Sequence, residues 1–206
     1  MPDRDYLSAV DVSKLVRKAL KVAFPGVPFS VRSRGSIDVS YVDGPPIEAV
    51  KRVVDRYAGS YFDGMIDYQG SIYHELDGKP VRLLATFVFA RRDLSGDAML
   101  EAIKRARAAG AYGADDLQVE PFINYKGKPD ARLHVEAGHG HQVSTPNHQG
   151  FKHPVAALAD WFDLDRPAAE LEPASMAEAD RLKIVGDDGY GAGRGYGGYP
   201  QQANAA

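Results

Sequence analysis

Between Val12 and Tyr41 the spacing of apolar side chains switches from three-and-four to two, and no other feature restricts the fold as strongly. Val12, Leu15, Val16, Ala19 and Ala23 form one helical stripe. Ser8 stands three residues before Asp11, a capping-box spacing, and Pro25-Gly26 stops the helix. Lys14, Arg17, Lys18 and Lys21 repeat on another face. Phe29, Val31 and Ser33 then alternate with Ser30, Arg32 and Arg34. Beyond Gly35, Ile37, Val39 and Tyr41 alternate with Asp38 and Ser40. Period two on both sides of Arg34-Gly35-Ser36 predicts a β-hairpin. A helix feeding an antiparallel hairpin points to an α+β fold.

The same grammar continues. Asp43-Gly44-Pro45-Pro46 is a turn. Ile47, Val50, Val53, Val54 and Tyr57 predict a second helix closed by Gly59. Ile72 to Leu76 reads as a strand, Asp77 to Pro80 as its turn, and Val81 to Ala90 as one buried strand. Ser95 with Asp97 caps a third helix, with Leu100, Ile103 and Ala106 inward and Lys104, Arg105 and Arg107 outward. Leu117 to Tyr125 and Ala131 to Glu136 predict a second hairpin around Lys126-Gly127-Lys128-Pro129, with Pro121 marking an edge or bulge. Gly-Lys-Pro recurs at 78–80 and 127–129, so stacked helix–strand–strand units are one grouping and a chance match of turn residues the other.

After residue 136 the texture changes. A His- and Gly-rich loop precedes a short helix from Pro154 to Phe162 that holds the lone Trp161. Residues 165–185 are acidic and predict a helix from Ser175 to Lys183. Residues 186–206 are rich in Gly and Tyr and predict disorder. The expected organisation is an α+β module over 1–95, and a second helix–strand–strand segment over 96–164. An acidic helical segment over 165–185 and a disordered tail over 186–206 follow. The fold class is α+β, with antiparallel hairpins packed against about three helices.

Composition narrows the chemistry. The chain of 206 residues has no cysteine, which excludes disulfides, thiolate nucleophiles and Cys-ligated metals. No signal-like start or spanning apolar run is present, so a cytoplasmic protein with no membrane contact is expected. The net charge of −3 divides into a mildly basic first half and an acidic second half: residues 1–110 carry 17 Lys/Arg and 14 Asp/Glu, residues 111–206 carry 8 and 14. Neither half has the basicity of a dedicated nucleic-acid binder or the acidity of a DNA mimic.

Three constellations compete. Five of six histidines fall within twenty residues, and His134, His139 and His141, with Glu136 among them, are the candidate metal ligands. Their spacing matches no specific metal motif, and a polar loop is the plainer reading. Asp63, Asp67, Glu75 and Asp77 lie in a turn-rich stretch where Asp serves local hydrogen bonds. No phosphate-cradling loop or nucleophile elbow occurs, and no cofactor is expected. Basic residues are the third possibility. Arg32 and Arg34 project from a hairpin face, and Arg91, Arg92, Lys104 and Arg105 cluster around the third helix. If they converge they make a phosphate-contacting surface, with Tyr41, Tyr61, Phe62, Tyr68 and Tyr73 as candidates for stacking on bases.

Several blocks in order carry a resemblance. They are Tyr6-Leu7-Ser8-Ala9, then Phe24-Pro25-Gly26-Val27, Phe29-Ser30-Val31-Arg32-Ser33, Ser36 to Pro45, Phe62-Asp63-Gly64-Met65 and Phe87 to Arg92. Over roughly residues 6–95 the chain resembles the large polyvalent protein-associated domains, in particular type 29. The resemblance implies a domain carried by phages, plasmids and integrative elements, where such domains accompany proteins that enter a recipient cell with DNA and blunt its defences. It implies no catalytic residues. The expected function is non-enzymatic binding, with DNA or a host defence complex (restriction or CRISPR type) as partner. The basic face, the acidic C-terminal segment, or both would make the contact. A His-dependent metal hydrolase and a structural or assembly protein are the alternatives.

Overall fold

The computed structural model describes residues 5–136, 142–146 and 150–188. These residues form five α-helices and twelve strands in small sheets, a mixed α+β fold. They divide into two units. The first holds residues up to 41, 47–91 and the segment from 172; the second holds 42–46 and 92–171.

In the first unit, β1 (Asp5–Leu7) leads into α1 (Ala9–Ala23). Ser8 caps α1 by accepting the Asp11 N–H at 3.2 Å, as its spacing predicts. Strands β2 (Ser30–Arg34) and β3 (Ser36–Val42) pair antiparallel, Val31 opposite Val39 and Ser33 opposite Ile37, with Gly35 turning at φ +90°. α2 (Ile47–Val54) ends in a 3-10 turn, Asp55–Tyr57, short of Gly59. Gly59 is not a helix cap: it lies between strands, its N–H donating to Ala85 O and its carbonyl accepting from the Ile72 N–H. Then come β4 (Ser60–Asp63), β5 (Tyr68–Leu76) and β6 (Lys79–Leu83). Asp77-Gly78, both at positive φ, make the two-residue turn between β5 and β6.

The expected single strand over Val81–Ala90 is two strands in different sheets. β6 runs parallel to β1, whereas β7 (Val88–Asp93) joins β3. Apolar periodicity does not record the break, because Ala85 is buried between the two.

The acidic segment also differs from expectation. In place of a helix over Ser175–Lys183 there is a 3-10 turn, Ala179–Arg181, and strand β12 (Leu182–Asp187). β12 pairs antiparallel with β5, Leu182 opposite Leu76, and completes a five-stranded sheet in the order β1-β6-β5-β12 with β4 also on β5. Leu182 and Ala179 are buried in the same core as Val12, Val16, Ile37, Val50 and Val53. Three residues of the expected disordered tail are therefore ordered: Gly186 and Asp187 in β12, and Asp188. The rest of that tail, from 189, lies outside the described residues.

The second unit packs α3 (Gly96–Ala108) and α4 (Pro154–Asp163) with the hairpin of β8 (Leu117–Ile123) and β9 (Pro129–Val135). Strands β10 (Val143–Ser144) and β11 (Phe151–Lys152) pair with each other, and α5 (Ala168–Leu171) follows α4. The inward face of α3 is Ala98, Met99, Ala102, Ile103 and Ala106, so Leu100, expected inward, is exposed. Trp161 is buried and its indole N–H donates to Ser144 O at 2.8 Å. Among the described residues no helix is long and apolar enough to cross a membrane.

Candidate nucleic-acid interface

Pleat geometry sends alternate side chains of β2 and β3 to opposite faces. Val31, Ile37, Val39 and Tyr41 go into the core. Arg32 and Arg34 go outward and are exposed, beside Ser30, Ser36, Asp38 and Ser40. In β7, Val88 and Ala90 pack on the core while Phe89 and Arg91 are exposed. Since the sheet order is β2-β3-β7, Arg32, Arg34 and Arg91 stand on one solvent face. Phe89 is 55% exposed there, with Phe87 beside it at 6.1 Å between ring centroids. The serines leave the backbone approachable between the guanidiniums. Asp38, opposite Arg32, is the carboxylate set into the row. Phosphate oxygens suit the guanidinium forks, and an exposed ring suits a base face.

The other expected cations have different work. Arg92 is 5% exposed and holds the Asp163 carboxylate with both Nη atoms, at 2.6 and 2.7 Å. Its Nε donates to Asp43 O at 2.6 Å and Nη2 to Gly44 O at 3.1 Å. Arg166 donates to the same carboxylate and to Gly44 O, and both guanidiniums lie over the Phe162 ring, at 5.5 and 4.8 Å from its centroid. Arg105 donates to Glu101 and to the carbonyls of Phe162 and Leu164, closing the C-terminal end of α4. Lys104 is exposed on α3. Arg92 and Arg105 have internal partners; Arg32, Arg34 and Lys104 are exposed, and so is Arg91, which has an interaction of its own.

Lys18 of α1, Arg52 of α2 and Arg56 of the turn after it answer the acidic segment. Lys18 pairs with Glu178 at 3.0 Å, Arg56 with Asp180 at 2.9 Å, and Arg52 with Glu172. Arg181 pairs with both Asp77 and Glu178. Arg181 holds the Asp77 carboxyl below the usual carboxylate range, and Lys18 does the same to Glu178. Arg17 donates to Val31 O at 2.6 Å.

Among the candidate stacking residues, Tyr41 is buried. Tyr61 and Tyr68 donate to the two oxygens of Asp188, at 2.5 and 2.9 Å. Tyr73 is half-buried and Phe62 is exposed. Phe89 falls inside the run expected to form one buried strand, which conceals it. Its signal is the alternation Val88, Phe89, Ala90, Arg91.

The histidine set splits. His134 is exposed on β9, its Nδ1 3.6 Å from Glu120. His139 and His141 lie outside the described residues. Among the described residues no three His, Asp or Glu side chains are grouped to hold a metal.

No curated protein and no solved structure matches the chain. A family model does match, and its segment contains α1, α2, β2–β7 and the whole arginine face. Residues 7–95 match the family model of large polyvalent protein associated domain 29.

Proposed function

We propose that this chain is a non-enzymatic binding protein of a phage or other mobile element, and that it contacts nucleic acid through the outer face of the β2-β3-β7 sheet. One observation carries the reading: Arg32, Arg34, Arg91 and Phe89 share one solvent face of a single sheet, with serines between them. The polyvalent-protein domain over the same residues fits a mobile-element origin. Phosphate neutralisation supplies affinity on such a surface and the ring supplies base stacking.

The test is fluorescence anisotropy of labelled single- and double-stranded DNA, titrated with the full chain at low and at physiological salt. Binding should weaken steeply with salt. Replacing Arg32 and Arg34 with Ala should flatten the log–log slope by roughly 1.5, about 0.7–0.9 for each phosphate no longer neutralised. Phe89→Ala should weaken single-strand binding by about tenfold and double-strand binding less. Absence of binding at low salt overturns the reading.

A further inference from the structure

The outer face of the β2-β3-β7 sheet is divided across its width. On β2, Arg32 and Arg34 point outward two residues apart, and neither side chain has an ion pair or hydrogen bond among the described residues. On the far side, Phe89 of β7 is exposed. Phe87, just before that strand, lies against it at 6.1 Å between ring centroids, which places both rings on one face. The middle strand, β3, sends Ser36, Asp38 and Ser40 outward, opposite Arg34, Arg32 and Ser30 of β2. The order across the sheet is therefore cations, then small polar groups with one carboxylate, then aromatic rings. Arg91 continues the β7 row and has an interaction of its own.

Both edges repeat at one interval. Residues two apart on a strand lie about 6.6 Å apart, so the stems of the two arginines are spaced like the two rings. Stacked bases lie about 3.4 Å apart along one strand of a duplex, little more than half that interval. A strand that lays one base on each ring is therefore stretched and unstacked. A single strand reaches that form, whereas a duplex keeps its base faces covered by their neighbours. Charge decides which way round such a strand lies. Phosphates go to the Arg32 and Arg34 edge, where the guanidinium forks suit them, and Asp38 repels them from the middle. The bases then fall on the Phe87 and Phe89 side, with the sugars over the serines.

We propose that this face binds a stretched single strand of nucleic acid, with two consecutive bases on Phe87 and Phe89 and their phosphates on Arg32 and Arg34. This assignment rests on the nucleic-acid reading above and adds to it the single strand, the second ring and the orientation. Ribose and deoxyribose strands share this chemistry.

The probes are labelled decamers of deoxyuridine, of uridine and of a base-free deoxyribose phosphate backbone, with a ten-base-pair DNA duplex beside them. Each is titrated with the full chain at low salt and read by anisotropy. The deoxyuridine or the uridine decamer should bind roughly tenfold or more tightly than the base-free one, and the tighter of the two identifies the sugar. Phe89→Ala and Phe87→Ala should each weaken the base-bearing decamers about tenfold and leave the base-free decamer and the duplex within about twofold. An unchanged affinity for the base-free decamer also shows that a variant has kept its fold and its arginine edge. Phe87 is half-buried, and Phe87→Tyr, which keeps a ring there, should bind nearly as the parent does. Arg32→Ala with Arg34→Ala should weaken every probe by a similar factor. Equal affinity for base-bearing and base-free decamers, or equal losses from Phe89→Ala on single strand and duplex, overturns the assignment and leaves nucleic-acid binding standing. No binding of any probe at low salt overturns both.

Discussion

The Asp163 carboxylate meets two guanidiniums that have little access to water. Arg92 is bidentate on it, Arg166 adds a third hydrogen bond, and both cations also cap the turn carbonyl of Gly44. Removing the anion leaves two largely desolvated cations close together beside Phe162. Asp163→Ala should therefore cost about 3–5 kcal/mol in chemical denaturation, far above an exposed ion pair. Arg92→Lys keeps the charge but loses the fork, and should recover only part of that loss. A change under about 1 kcal/mol for Asp163→Ala would show the cluster to be solvated. His74 is a second residue with a stake in its protonation. It is 2% exposed, its Nε2–H donates to Arg56 O at 3.0 Å, and burial pushes its pKa below the ordinary value. The unfolded chain takes up that proton near pH 6.5, the folded chain only below it. Stability should be fully present above about pH 6.5 and fall as pH drops through the lower folded value. Urea midpoints at pH 7.5 and 5.0 should show the drop, and His74→Gln should shrink it. At this scale the sequence is a poor guide. Arg92 and Arg91 are neighbours of one type, yet one is sealed and one is exposed, because the partner of Arg92 lies 71 positions away and no local pattern announces it.

Local pattern succeeds where an element is made by its own residues. The α1 stripe, the Ser8 cap and the β2–β3 register are all legible, because helical and strand periods are set by which side chains must face one core. It fails at Gly59, where a glycine after an amphipathic run looks like a helix stop. The constraint there is non-local: a Cβ would lie 2.4 Å from Leu83 O and 2.8 Å from Ala85 O. Both obstacles are backbone, so neither can turn aside. Gly59→Ala should push the chain before β4 away from the Leu83–Ala85 backbone and cost several kcal/mol, on the order of an overpacked core or more. Gly78→Ala is the control at an open turn with φ +79°, and should cost only about 1 kcal/mol through backbone strain. Thermal unfolding of the two variants ranks them, and equal losses would remove the close-approach argument. The arginine face is half legible for the same reason. Alternation places Arg32 and Arg34 outward, but the break between β6 and β7 has to be known before Phe89 and Arg91 can join them.

Across the whole molecule, the family segment is not the whole of its unit. Residues 7–95 match the domain, yet the sheet that contains β5 and β6 has β12, residues 182–187, along one side. The chain passes through the entire second unit before it returns to place Leu182 and Ala179 in the first core. Acidic residues on that returning segment pair with Lys18, Arg52 and Arg56, which explains why a negative stretch follows a basic half. These pairs at the surface add little energy. The stabilisation lies in burial. Leu182→Ala should cost about 2–5 kcal/mol, the range for a fully buried leucine. Ending the chain after residue 171 removes that side chain and Ala179, and strips the β5 edge of its partner. An unpaired edge beside an opened core is a template for pairing with other chains. The truncated protein should lose cooperative unfolding in the first unit, lose amide protection along β5 first, and self-associate on concentration. Hydrogen exchange at Ser71, whose N–H donates to the Asp188 carboxylate of the returning segment at 2.8 Å, compared with the full chain, measures this directly. Unchanged protection would mean that the family segment holds its own sheet and that the returning strand is dispensable.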